Sequence, residues 1–205
     1  MSTRGREKRC ERGATLIELI MFIVVVGAAT AGVLGAISFA TRASVDPMIQ
    51  KQALAIAEAV LEEVQLMPFT YCDPDDPQAA TALSAAVGPT GCTAAVAVEA
   101  IGPEMTAPYG PETRLDASTP FDNVNDYQVG GVGGPGLAIN PVSNLAGTVI
   151  TGLEGYSANV RVVEQALDTI PAAQSLLITV TVTGPGNTTA TLHGYRVRYA
   201  PNALP

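Results

Sequence analysis

The chain opens on a short polar, basic stretch and turns apolar at Leu16. Residues 19–41 carry no formal charge, and Arg42 closes the run. As a helix rising about 1.5 Å per residue, that run is roughly 35 Å long, enough to cross a bilayer core of about 30 Å. One carboxylate, Glu18, stands at its start, where burial in lipid costs roughly 3 kcal/mol or more unless a partner compensates it. Beyond Arg42 the pattern changes. Ile49, Ala53, Ile56, Val60, Val64 and Met67 recur at steps of three and four, which predicts a helix with one apolar face. Lys51, Glu58, Glu62 and Glu63 fall off that stripe, and the Glu62–Glu63 pair reads as solvated helix surface. Asp46-Pro47 interrupts the run, either as a kink or as the N-cap and first position of a fresh helix. Pro68 ends the helical pattern.

Between Phe69 and Ser157 periodicity fades. Residues 94–101 alternate valines and read as a short strand, whereas Pro103, Pro108, Pro111 and Pro120 and the glycine-rich run at 130–136 punctuate loops. That run has no Lys-Ser/Thr and no following helix, so it does not form a phosphate loop. The last fifty residues alternate clearly. Residues 158–164, 176–183 and 188–199 are rich in Val, Ile, Thr and Tyr and predict three strands. Ile178, Val180 and Val182 share one face; Tyr195, Val197 and Tyr199 share another. Gly184-Pro185-Gly186-Asn187 supplies a hairpin connection. The expected fold is α+β: a long N-terminal helix, half membrane-spanning and half amphipathic, with its distal half covering the apolar face of a C-terminal antiparallel sheet.

The stretch Gly13-Ala14-Thr15-Leu16-Ile17-Glu18-Leu19, with its basic leader and apolar sequel, resembles the processing motif of type IV prepilins and the related pseudopilins. The resemblance implies cleavage by prepilin peptidase between Gly13 and Ala14, and N-methylation of Ala14. It also implies an assembly role for Glu18, whose carboxylate sets register against a neighbouring subunit. Ala14 stands where the family usually has Phe, and the apolar run lacks the proline of many major pilins; Gly27, Gly32 and Gly35 offer pliability in its place. The strand pattern near the C-terminus is similar to that of minor pilins of the mannose-sensitive haemagglutinin (MSHA) pilus system. Two other readings of the N-terminus compete. A secretory signal peptide has an apolar core of about 7–15 residues and is too short, although Ser38-Phe39-Ala40 imitates its cleavage site. An ordinary signal-anchor accounts for length and flanking charge but not for Glu18.

Charge sharpens this picture. Five basic residues against two acidic ones give the leader +3, so the formal −8 of the whole chain leaves −11 after Gly13. Basic residues flanking a membrane helix stay on the cytoplasmic side, which predicts a cytoplasmic leader and an exported acidic domain. Such a domain is poorly suited to nucleic acid, whose binding depends on neutralising phosphates. Of the three cysteines, Cys10 lies in the leader. Cys72 and Cys92 remain as an even pair in an exported domain and are expected to form a disulfide. With His193 they are too few for a zinc site. Asp73-Pro74-Asp75-Asp76-Pro77 offers the hard oxygens calcium takes, but it matches no complete calcium-loop spacing and reads as a solvated loop. His193 belongs to a predicted strand, no nucleophile elbow accompanies the serines, and Asn187-Thr188-Thr189 suits a hairpin tip.

The expected organisation is a leader at 1–13, a transmembrane and assembly helix at 14–42, its amphipathic continuation at 43–68 and a β-rich exported domain at 69–205. The expected role is non-enzymatic, without cofactor or metal: a minor pilin of an envelope filament, anchored once in the inner membrane before assembly with other pilin subunits. A type II secretion pseudopilin is the related alternative. A signal-anchored exported enzyme or binding protein is the alternative of another class.

Overall fold

The computed structural model describes residues 15–202 and 204, and no side chains from 40 to 46. Cys10 and the expected processing residues Gly13 and Ala14 lie outside the described residues. Helix α1 spans Leu16–Leu66 and carries Pro47 in its interior, so Pro47 does not open a second helix. The chain divides into two compact units, residues 1–47 and 48–205.

In the first unit, Leu16–Phe39 is apolar and long enough to cross a membrane. Its side chains are exposed throughout, including Ile20, Phe22, Val24 and Leu34. The three glycines are exposed too: a Cβ at Gly27, Gly32 or Gly35 would meet nothing within 4 Å. By length and composition this apolar stretch suits a membrane environment.

The second unit is built on a four-stranded antiparallel sheet in the order β1 (Leu137–Ile139), β2 (Ser157–Glu164), β3 (Ser175–Gly184), β4 (Thr188–Val197). The three predicted C-terminal strands are present within two residues at each end; β1 is additional. Val160 pairs with Val180, and Val180 pairs with Leu192 on its other side. This register places Ala158, Val160 and Val162 beside Leu176, Ile178, Val180 and Val182, all buried. Against them pack Ala53, Ile56, Ala57, Val60 and Val64 of α1, in one apolar core. Each fully buried Val, Leu or Ile contributes roughly 1.5–3 kcal/mol of transfer free energy. Gly194 lets the helix come close, because a Cβ there would press on Leu61 and the Gln65 amide. Tyr156 adds a polar tie by donating to Gln52 Oε1 at 2.8 Å. His193 and Tyr195 are exposed on the other face of the sheet, where the His193 ring meets the Thr179 hydroxyl at 3.1 Å.

Two sequence expectations are overturned here. Residues 94–101 form no strand: Ala95–Ala97 is a 3-10 turn, and Val98 makes only an isolated bridge to Cys72. Alternating valines do not make a strand without a neighbouring ladder to pair with. Glu63 is not solvated. Its side chain is 14% exposed, and its carboxylate accepts from Arg114 Nε at 2.7 Å and from Arg114 Nη2 at 2.8 Å. The Tyr127 hydroxyl donates to the same carboxylate at 2.9 Å.

Candidate functional site

Glu18 lies in the first turn of α1, exposed, and its backbone N–H reaches Thr15 Oγ1 at 3.4 Å. It is the acidic residue of the helix's first turn, where a negative charge opposes the positive end of the helix dipole.

In the second unit, Cys72 and Cys92 are joined by a disulfide with a Cα–Cα distance of 5.4 Å. The bridge sits at the head of a loop region, residues 69–136, that holds its shape without a sheet. Two backbone bonds run beside it: Asp73 N–H donates to the Ala97 carbonyl at 3.0 Å, and Glu99 N–H donates to the Tyr71 carbonyl at 3.1 Å. They set Asp73 and Glu99 on adjoining strands of chain. The 3-10 turn Val124–Tyr127 is capped by Asn123, and Asp126 closes the cap by accepting from the Asn123 and Asp122 amides at 2.7 and 3.0 Å. Glu112 N–H donates to the Glu104 carbonyl at 2.9 Å, closing a loop whose tight approach needs glycine, since a Cβ at Gly110 would collide with that carbonyl.

These turns converge on a single feature. Asp73, Glu99, Glu104, Glu112 and Asp126 are buried, Asp122 is half-buried, and Asp75 is exposed at the edge. Their oxygens fall into overlapping trios whose ligand atoms all lie within 4.8 Å of one another: Asp73–Glu104–Glu112, Glu112–Asp122–Asp126, Glu99–Glu104–Asp126 and Asp73–Asp75–Asp122. Among the described residues none of the seven is ion-paired to Lys or Arg. Arg198, on which Glu99 acts electrostatically, is instead stacked 3.8 Å over Phe69 and 4.6 Å over Tyr71. Several of the carboxylate oxygens have no hydrogen-bond partner: both of Glu99, one each of Asp73, Glu104, Asp122 and Asp126.

Burial and mutual repulsion act in the same direction on these groups. Desolvation, reinforced by the charges of Asp75 and Asp76, raises the Asp73 carboxyl to about 6 despite a bond from the Asp75 amide. Desolvation and the neighbouring acids raise Asp122 to about 7. Glu99, Glu104, Glu112 and Asp126 are likewise pushed up, first by burial and then by one another. The expectation of a solvated loop at 73–77 holds only in part: Asp75 and Pro77 are exposed, whereas Asp73 and Asp76 are buried. Asp76 accepts from the Thr93 amide and hydroxyl at 2.9 Å. The sequence held one signal for this region: no Lys or Arg occurs between Lys51 and Arg114 to neutralise its acids.

A third feature is a cavity of about 700 Å³ lined by Ile56, Val60, Val142, Ile150 and Leu153, with the Glu63–Arg114 pair at its wall. Its lining is apolar, and it brings together no nucleophile, base and orienting group. No protein-family model matches the chain, nor does any curated protein or solved structure.

Proposed function

We propose that this chain is a structural subunit of a type IV pilus-like envelope filament, made as a prepilin, cut between Gly13 and Ala14 and methylated on Ala14. The observation that carries the reading is a charge-free apolar helix with one carboxylate, Glu18, in its first turn, ahead of an α+β domain. A lone acid at the edge of a membrane segment needs a compensating cation. Cleavage creates one: the Ala14 ammonium, in the same apolar layer. Each charge alone is expensive in lipid, and pairing with hydrogen bonds offsets much of that expense. Glu18 of an incoming subunit meets the amine of a neighbour already in place. Their pairing sets the axial register, because a shift of one turn separates the charges by about 5 Å. Gly27, Gly32 and Gly35 then permit close helix approach and supply non-directional cohesion. The basic leader stays cytoplasmic, the α+β domain is exported, and the subunit passes through the inner membrane as a single-pass protein before assembly. Within this reading the subunit is a minor pilin of an MSHA-like system.

The test measures the mature N-terminus and the filament content together. Methylated Ala14 as first residue is expected in the membrane pool and in sheared filaments. Glu18→Ala is expected to be cleaved and inserted normally but largely lost from the filaments. A mature chain that begins at Met1 or well beyond Ala14 refutes the reading in favour of a signal-anchored protein. Equal incorporation of Glu18→Ala refutes the register mechanism. Deletion that abolishes surface fibres supports the pilus system, whereas deletion that blocks protein secretion with fibres intact assigns the subunit to a secretion pseudopilus.

A further inference from the structure

We propose that the buried carboxylate cluster of the α+β domain is a calcium site, held by Asp73, Glu99, Glu104, Glu112, Asp122 and Asp126. The inference is independent of the filament reading, since it concerns only the second unit. The spacing within each trio is that of ligands to one ion. Two oxygens bound to one calcium ion at about 2.3–2.6 Å lie no more than about 5 Å apart, and each trio of ligand atoms here lies within 4.8 Å. The strongest single observation is Glu99. It is 7% exposed, both its carboxylate oxygens lack any partner, and it stands in one trio with Glu104 and Asp126. Asp126 is fully buried, with one oxygen committed to backbone amides and the other unpartnered. A buried, unpaired carboxylate is costly on its own, and several held together are more so. A divalent cation removes both penalties at once.

The donor set selects the ion. All of the ligand groups are hard oxygens. The two cysteines of the domain are consumed in the disulfide, and His193 is exposed on the outer face of the sheet, so zinc and copper lack their preferred ligands. The carboxylates come from separate loops and overlap in four trios. Calcium accepts six to eight such oxygens in irregular arrangements, whereas magnesium demands near-ideal geometry and keeps several waters. The disulfide, the Asn123 cap and the Gly110 approach hold the segments that carry Asp73, Asp126 and Glu112, and the cation ties those loops together.

The test uses the full chain in detergent, stripped with chelator and dialysed. Calcium chloride is expected to give saturable heat in titration calorimetry at or below millimolar concentration, and a rise in thermal midpoint. Magnesium chloride is expected to give a smaller rise. Glu99→Gln and Asp126→Asn should each weaken calcium binding by about tenfold or more, comparable to losing a ligand interaction. Asp116→Asn, at an exposed acid outside the cluster, should bind as the parent does. Circular dichroism in chelator guards against misfolding, and Glu99→Gln is expected to melt no lower than the stripped parent, because the replaced carboxyl has no partner within the chain. The proposal is overturned if the stripped parent shows neither saturable heat nor a midpoint shift at about 10 mM calcium. It is equally overturned if Glu99→Gln and Asp126→Asn respond to calcium as the parent does, or if magnesium matches calcium.

Discussion

Single side chains in this protein divide by whether a partner compensates their charge inside the chain. Glu63 has one. Arg114 grips it with two nitrogens, Tyr127 adds a hydroxyl, and both members of the ion pair are nearly buried, at 6% exposure for Arg114 and 14% for Glu63. The Glu63 interaction raises the Arg114 guanidinium further, and burial beside Glu63 pushes the Tyr127 hydroxyl up. Removing one partner of such a pair leaves a buried charge, and the loss is typically about 3–5 kcal/mol. Arg114→Ala is therefore expected to destabilise the domain by about 3 kcal/mol or more, measured by urea unfolding. Arg114→Met, paired with Glu63→Leu and Tyr127→Phe, should recover much of that loss, because apolar replacement of the pair and of the hydroxyl that donates to Glu63 leaves no orphaned charge or donor. A loss under about 1 kcal/mol for Arg114→Ala would mean that the pair behaves as an exposed one.

Local segments differ in what holds them. The sheet is held by its ladder and by α1 on its inner face, and it needs no covalent help. The loop region from 69 to 136 has only short 3-10 turns and isolated bridges. Its order depends on the Cys72–Cys92 link, which closes a loop of sequence separation 20. In the chain-entropy model such a closure stabilises by roughly 3 kcal/mol. The double variant Cys72→Ser/Cys92→Ser should lose about that much, and the loss should be local. Hydrogen exchange is expected to quicken at Asp73, Ala97 and Glu99, whose backbone groups flank the bridge, and to change little at Val160 and Val180 in the sheet. Uniform loss of protection across the sheet would show that the loop region and the core unfold as one.

For the whole second unit, pH is the clearest handle. Asp73 titrates near 6 and Asp122 near 7 in the folded chain, against an ordinary 3.8 for an aspartate, because burial and neighbouring acids disfavour their charge. The folded state then holds protons that the unfolded state releases, so the contribution of these two groups to stability falls as pH rises from about 4 to about 7. In chelator, the thermal midpoint is expected to be highest near pH 4–5 and to drop by neutrality. A loss of only ~1 kcal/mol moves the midpoint by about 2–4 °C for a chain of this size. Glu99, Glu104, Glu112 and Asp126 shift the same way and add to the effect, and Glu112, pushed up to about 10, carries the fall beyond neutrality. A midpoint that instead rises steadily from pH 4 to 7 would mean that these carboxylates are charged and compensated in the fold. Charge also divides the chain: residues 1–13 carry +3 and the remainder −11.

The amino-acid order alone determines what depends on local periodicity. The apolar run before Arg42, the helical stripe from Ile49 to Met67 and the alternating strands after Ser157 are legible because burial on one face imposes a period of 3.6 or 2. The pairing of Cys72 with Cys92 is readable because the chain has two cysteines beyond residue 13, which leaves one partner each. Residues 94–101 misled, since alternation describes a potential strand and only a neighbouring ladder makes it one. Glu63 misled for a related reason. Its position off the stripe is correct, but Arg114 and Tyr127 come from loops 51 and 64 residues away and cover it. The carboxylate cluster lies furthest from anything periodic. Its members are scattered from Asp73 to Asp126 with no ligand spacing, and folding brings them within a few ångströms. Such proximity is a property of loop closure in three dimensions, set by a disulfide, a cap and a glycine, and no one-dimensional pattern encodes it.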